Sequence, residues 1–261
     1  MFEFTRYDAA KRVRGSVYLA VGMSLLAAFA VWAYPSYSQA MDMAQLREAF
    51  PEPMIRAFNI QTMASLEGFL AVELYMFGWV ILLGLYLAYS AASIIADDVD
   101  RGRMDTILSM PVSRPRLAAE RFVALGVPIL VVNAVTPVAV LASATLIGES
   151  LSVADLVALH LLSIPYLFAC GAIGLLASVL FDRASIAQRV ALGVTFGSYL
   201  VESLLSGTDY AVLGAVAPMR YFDPNDVLLE GTYDLADAAV LLGMTAVLVL
   251  ASQAWFVRRD V

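Results

Sequence analysis

The sequence predicts an all-α membrane protein with six transmembrane helices, and two observations support this. First, 61% of the 261 residues are hydrophobic and 15% are charged, whereas a soluble domain is about half apolar and a quarter charged. Second, six apolar stretches reach the length of about 20 helical residues that crosses a hydrocarbon core. The predicted spans are residues 16–37, 68–95, 122–147, 153–181, 185–205 and 236–257. They form one transmembrane domain over residues 1–261.

The residues before the first span predict a short helix lying on the membrane surface. Apolar and aromatic residues alternate there with charges at roughly helical spacing, from Phe2 to Val13. A disordered tail is the alternative. A secretory signal peptide is disfavoured, because the apolar run after Arg14 is longer than the core of such a peptide.

The distribution of basic residues predicts the orientation. With the N-terminus inside, thirteen of the sixteen basic residues lie in cytoplasmic segments or at inner span ends. These are Arg6, Lys11, Arg12, Arg14, Arg101, Arg103, Arg114, Arg116, Arg121, Arg183, Arg189, Arg258 and Arg259. The opposite side keeps Arg47, Arg56 and Arg220 and is rich in acids. The positive-inside rule then predicts a multi-pass protein of the cell (plasma) membrane with both termini cytoplasmic.

Composition excludes several functions. The net charge of −7 argues against a nucleic-acid partner, which would need clustered Lys and Arg. One cysteine and one histidine, Cys170 and His160, exclude a multi-cysteine or multi-histidine metal site. No GxxxxGK[ST] motif occurs, so we expect no nucleotide, cofactor or metal to be bound by this chain and no enzymatic activity of its own.

Two other classes of membrane protein fit poorly. An intramembrane serine protease would need a serine paired with a histidine, yet His160 is expected near the outer end of the fourth span and Ser206 at the lip of the fifth. A mitochondrial-type carrier would show a threefold repeat with basic residues after each odd helix, and no such period is visible.

Three polar residues within the spans are candidates for a transport pathway. Glu73 and Glu202 are acids within apolar runs, where a charge is costly unless it has a function. Both lie near outer helix ends, so solvation at the interface is favoured over a substrate or proton site, and His160 is interpreted in the same way. Asn133, near Pro137 in the third span, marks either a functional hinge or an ordinary kink.

Gly193 and Gly197 form a small-xxx-small pair in the fifth span. Such a pair lets helices approach closely. It indicates packing within the chain or a seam between two subunits.

The most organised polar stretch is residues 96–121, hereafter the 96–121 segment. Met104, Ile107 and Leu108 fall on one helical face, and Pro111 then ends the helix. The apolar face of this short amphipathic helix must be covered by lipid, by its own bundle or by a separate protein. Periodicity leaves these three alternatives open.

The same stretch resembles the loop after the second helix in ABC-2 type transporter permeases. That loop commonly has an acidic cluster followed by G-T-x-E-x-L-L-S-x-P-V-S-R. The matching residues are Gly102, Asp105, Leu108, Ser109, Pro111, Val112, Ser113 and Arg114. The chain departs from the pattern at Arg103, Asp105 and Ile107. Residues 218–228 are also similar to the segment before the last helix of that family.

The resemblance implies a function. In such families two permease subunits, identical or related, pair mainly through their first and fifth helices, and a separate ABC ATPase binds ATP and Mg. Motion passes through a coupling helix, which implies an ATPase-coupling role for Gly102, Met104, Asp105, Ile107, Leu108, Pro111 and Arg114. The chain would be the permease of an exporter. The alternative is a membrane scaffold that docks a cytoplasmic protein through the 96–121 segment without transport.

Overall fold

The computed structural model describes residues 3–40 and 65–259, and every regular element in this part of the chain is helical. Most of the predicted loop after the first span, with Arg47 and Arg56, lies outside the described residues. Ten helices follow one another. They are α1 (Glu3–Ala40), α2 (Leu66–Ala92), α3 (Ala96–Asp100), α4 (Met104–Leu108), α5 (Arg114–Val123), α6 (Gly126–Leu146), α7 (Val153–Leu180), α8 (Ala184–Leu205), α9 (Pro224–Leu228) and α10 (Leu235–Arg258). The fold is an all-α membrane protein, as predicted.

The predicted surface helix and first span form a single helix. Helix α1 runs for 38 residues, about 57 Å at 1.5 Å per residue, because no proline interrupts it before Pro35. Its first turn docks on α5: the Phe4 amide donates to Glu120 Oε2 at 3.2 Å, and the Thr5 hydroxyl donates to Glu120 O at 3.0 Å. The prediction of a separate helix on the membrane surface was therefore wrong, because these residues are continuous with the first span. Their first turn contacts α5 of the same chain.

Each of the six predicted segments is helical, but their apolar character differs. Five helical stretches are long and apolar enough to cross a membrane: Phe4–Ser38, Leu66–Ala92, Arg114–Leu146, Val153–Leu180 and Leu235–Arg258. Helix α8 falls short in the described chain because it carries Gln188, Arg189 and Glu202 among its apolar residues. A count of six spans stays a prediction.

Helix α7 is the centre of the bundle. It packs on the second half of α2, on α6, on α8 and on α10, while α1 packs along α6. The contact with α2 is made by small residues: a Cβ built at Gly174 would overlap Ala88 O and lie 2.8 Å from Ala91 Cβ. Small residues let helices approach where lipid provides no hydrophobic driving force.

Two ends of the bundle differ in charge. The basic end comprises the N-terminus of α1, the 96–121 segment, the turn at Asp182 and the C-terminus of α10, which hydrogen bonds join to one another. The acidic end contains residues 206–234, with two 3₁₀ turns (Ala211–Val216 and Pro218–Tyr221) and α9.

Candidate functional site

The 96–121 segment is a helix-turn-helix that requires glycine at its turn. Gly102 adopts a positive φ of 62° between α3 and α4, a conformation that glycine adopts without steric cost. The Gly102 amide donates to Val99 O at 3.0 Å, and the Arg103 amide donates to Asp98 O at 2.8 Å. These bonds satisfy carbonyl groups at the end of α3, and α4 begins directly after the turn.

The apolar face of α4 is covered largely by its own bundle. Met104 is buried at 2% exposure, and Ile107 and Leu108 are half-buried against a cluster that contains Leu117 and Phe256. Of the three coverings left open by the sequence, the described residues show this one. The surface left for a partner is therefore a different one, and the coupling role of these residues stays a prediction.

The exposed surface of the segment lies on the other side of α4. Met110 is 42% exposed, and Asp105, Thr106, Ser109 and Pro111 are also exposed. An incoming protein would meet this surface first.

A network of charges holds the segment in place. Arg103 Nη2 lies 2.7 Å from Asp97 Oδ2 and 2.7 Å from Asp98 Oδ1, and Arg101 Nε lies 2.8 Å from Asp97 Oδ1. Arg121 pairs with Asp98 and donates to Ile94 O at 2.6 Å. Asp97 and Asp98 are thus neutralised by arginines of their own segment, and Asp100 accepts the Ala184 amide at 3.3 Å.

The segment is also joined to α7 and α10. The Ser178 hydroxyl accepts the amides of Ile95 and Ala96 at 2.8 and 3.0 Å. Arg114 donates to Phe256 O at 3.2 Å and to Arg259 O, and its guanidinium lies 5.7 Å from the Phe256 ring centre. Arg114 is therefore an anchor between α5 and the end of α10.

A buried polar cluster occupies the junction of α2, α6 and α7. His160 is only 3% exposed, with its Nε2 atom 3.2 Å from the Tyr75 hydroxyl and its Nδ1 atom 3.0 Å from Asn133 Oδ1. Ser163 Oγ lies 2.9 Å from Asn133 Oδ1 and accepts the Trp79 indole N–H at 3.1 Å. The interpretation of His160 as a residue solvated at the interface was wrong.

The hydrogen bonds of this cluster indicate which ring nitrogen of His160 carries the proton. The Asn133 amide nitrogen donates to Ile129 O at 2.9 Å, so its oxygen faces His160 and accepts the Nδ1 proton. The other ring nitrogen then accepts the Tyr75 hydroxyl proton. The cluster is a closed set of neutral groups that fixes three helices relative to one another.

Sequence reasoning missed this cluster, although a signal existed. His160 and Ser163 lie at i and i+3 on α7, and their partner Asn133 lies at the middle of α6. The middle of α2, Ala71–Leu83, is wound as a π-helix. A π-helix turns different side chains inward than an α-helix of the same residues would. In this stretch Tyr75 and Trp79 are the fully buried aromatic residues that reach the cluster.

The structure does not bring the three candidate pathway residues together. Glu73 is exposed on α2 and Asn133 belongs to the buried cluster. Glu202 is 7% exposed, its Oε2 atom is 3.5 Å from Arg220 Nη1, and a Cβ on Gly214 would overlap this carboxylate. Glu202 is therefore covered by the 3₁₀ turn of the acidic end and paired with an arginine.

Gly193 and Gly197 face open space. A Cβ built at either position meets nothing within 4 Å in the described chain. Packing among the described residues does not account for the pair, and the seam between two subunits stays a prediction.

Comparison with known protein families gives a match. A family model described as ABC-2 family transporter protein matches residues 5–261, which includes all ten helices apart from the first residues of α1. No curated protein matches the chain.

Proposed function

We propose that this chain, which belongs to the ABC-2 family of transporter proteins, is the permease of an ATP-driven exporter. The chain is a transmembrane transporter subunit, and the family match over residues 5–261 is the observation that supports this most directly. ATP and Mg would be bound by a separate ABC ATPase subunit. A second permease, identical or related, would complete the substrate path.

The connections of the 96–121 segment support a coupling role. Helix α4 adjoins α3 and α5. Glu120 of α5 binds the first turn of α1, Arg114 binds the end of α10, and Ser178 of α7 binds the backbone before α3. A force applied to α4 would therefore reach three transmembrane helices through hydrogen bonds rather than through a flexible loop.

The exposed surface around Met110 would contact the ATPase. This surface would lie in the cytoplasm, with the protein in the plasma membrane and both termini inside. The concentration of arginines at the basic end supports this orientation. Met104 would support the contact from beneath, because it is buried against the bundle.

The experiment replaces Met110 with glutamate and measures how much ATPase copurifies from native membranes. Met110→Glu should reduce the retained ATPase about tenfold or more, since an unpaired carboxylate in a contact costs at least the 1.4 kcal/mol or so that a tenfold change represents. The control is Val212→Glu, which alters another exposed apolar residue, 74% exposed against 42% for Met110, at the acidic end. Both variants should keep the wild-type thermal stability.

Two results would contradict the proposal. Full ATPase retention by Met110→Glu would remove this surface from the interface. A copurifying protein without nucleotide hydrolysis, lost in Met110→Glu and kept in Val212→Glu, would establish the scaffold function instead.

A further inference from the structure

A large cleft opens at the basic end between α1, the end of α2 and the 96–121 segment. Its volume is about 730 Å³, within the range of about 300–1,000 Å³ that is typical of small-molecule sites. The wall is mixed: Phe4, Tyr7, Ile94, Ile107 and Met110 supply apolar surface, and Ser90 and Ser93 supply hydroxyls. A ligand of this cleft would have both an apolar and a polar part.

Two cations of the cleft, Lys11 and Arg12, form no ion pair within 4 Å among the described residues, although Asp8 attracts Arg12 from a longer distance. Its acids are Asp8, Asp97 and Asp98, and its bases are Lys11, Arg12, Arg103 and Arg121. All three acids pair with Arg103 or Arg121.

Arg12 is under-bonded for its position. It is half-buried, and the one hydrogen bond that its guanidinium makes to the described residues goes to Ser90 Oγ, at 3.0 Å. A guanidinium has five N–H donors in a planar fork that matches the oxygens of a phosphate group. Lys11, the preceding residue of the same helix, also lines the cleft, so both side chains can present donors to an anion there.

The cleft continues into the lipid-facing surface of α1. Tyr7 and Lys11 share one face of this helix with a run of exposed apolar residues. The run consists of Tyr18, Val21, Leu25, Phe29 and Trp32. An acyl chain lying along this stripe would place its headgroup at Lys11, at the edge of the cleft whose wall includes Arg12.

We propose that this cleft binds the phosphate-bearing headgroup of an anionic phospholipid from the leaflet at the basic end, with its acyl chains along α1. The cavity, the two cations without an ion pair among the described residues and the apolar stripe point to one amphipathic ligand. Basic pockets between transmembrane helices are a known mode of recognition for such headgroups. The site shares Thr106 and Met110 with the proposed ATPase contact but extends away from it to Lys11 and Arg12, and its test requires no ATPase.

The experiment measures the thermal stability of the purified full chain as lipid is added in neutral detergent. Phosphatidylglycerol is the probe, phosphatidylcholine is the zwitterionic control, and glycerol 3-phosphate tests the free headgroup. Phosphatidylglycerol should raise the melting temperature saturably, and the other two should not at the same concentration. An equal effect of phosphatidylcholine would overturn the proposal, and an equal effect of glycerol 3-phosphate would show a site for soluble anions instead.

Matched variants locate the site. Arg12→Gln should weaken the apparent affinity for phosphatidylglycerol about tenfold, because a hydrogen bond to a charged group is among the stronger ones. Arg6→Gln is the control: this arginine lies on the same helix, is exposed and does not line the cleft. An equal loss in Arg6→Gln would indicate general surface attraction and overturn the proposal.

Folding is controlled separately. If Arg12→Gln does not give a folded protein, Lys11→Gln decides the question, because its side chain is exposed and its replacement leaves the packing intact. A folded Lys11→Gln protein should also bind phosphatidylglycerol more weakly. Unchanged affinity in that variant would contradict the proposal.

Discussion

At Gly174 the backbones of α7 and α2 come into direct contact. The overlap of a Cβ at this position with the Ala88 carbonyl oxygen involves backbone on the neighbouring helix, which cannot turn aside as a side chain can. The same helix pair carries Gly84, where a Cβ would lie 2.8 Å from the Tyr166 hydroxyl. That hydroxyl donates to Val80 O at 2.7 Å, so the closely packed pair also satisfies a carbonyl in the π-helical part of α2.

Replacement of Gly174 by alanine should therefore destabilise the protein. The helices must separate to admit the methyl group, at a cost of about 1–3 kcal/mol, the usual range for overpacking. The measurement is thermal unfolding in detergent. Gly243→Ala on α10 is the control, because a Cβ there meets nothing within 4 Å in the described chain and alanine favours the helix. Equal melting temperatures for the two variants would contradict the close contact.

The buried polar cluster shows how a residue can be misread when only its own helix is considered. His160 lies within two turns of the start of α7, which suggested contact with water or headgroups. Its environment is set instead by Tyr75 and Asn133 on other helices. No pattern along a single helix reveals those partners.

Among the elements, the long apolar helices were predictable because apolar length is a local property. The prediction of residues 153–181 corresponds to Val153–Leu180, and that of 236–257 to Leu235–Arg258. The covering of α4 was not predictable, because Met104 belongs to a buried cluster with residues distant in sequence, such as Phe256. The continuity of α1 was missed for a related reason: its charged first turns are stabilised by α5 rather than by the membrane surface.

The turn before α10 carries an acidic cavity at the acidic end. Asp223, Asp226, Asp234 and Asp237 line a space of about 80 Å³. Desolvation of its carboxyl group raises the pKa of Asp226 from 3.8 to about 6, with further contributions from neighbouring carboxylates. These belong to Asp223, Glu230, Asp237 and Asp234.

We expect Asp226 to make stability depend on pH. Because its pKa is higher in the folded protein, the folded state retains a proton that the unfolded state loses between pH 3.8 and about 6. This contribution favours folding at low pH and is lost as the pH rises through about 6. Asp226→Asn should therefore raise the melting temperature at neutral pH.

The measurement compares melting temperatures of wild type and Asp226→Asn from pH 5 to 8, roughly the range over which this carboxyl loses its proton. The difference between them should grow with pH. Asp209→Asn removes an exposed carboxylate at the same end of the bundle and serves as the control. A difference that is constant with pH, or equal for both variants, would show that Asp226 does not titrate as stated.

At the scale of the whole molecule, α8 presents a face that the described part of the chain leaves uncovered. Gly193 and Gly197 lie there beside exposed Val194, Phe196 and Val201. Small residues bordered by larger ones form a groove into which another helix fits closely. A second subunit is the partner that the proposed function requires.

Replacing both Gly193 and Gly197 by leucine should disrupt assembly without loosening the subunit. The added side chains enter open space within the chain but would fill the groove between chains, at a cost of about 1–3 kcal/mol or more. Light scattering in detergent should show a shift from dimer to monomer, with little change in thermal stability. Gly243→Leu, also at an open glycine in a membrane helix, should leave the mass unchanged; an equal shift there would remove the seam from α8.

The length of α1 has a mechanical consequence. A helix of about 57 Å that crosses a hydrocarbon layer of about 30 Å acts as a rigid lever, with an arm of about 27 Å outside the layer if its far end stops at the opposite boundary. A tilt of about 10° within the bilayer then displaces the tip of that arm by about 5 Å. The N-terminal tip of α1 is hydrogen-bonded to Glu120. A small tilt of α1 in the bilayer would therefore move this tip, beside the 96–121 segment, by nearly the rise of one helical turn.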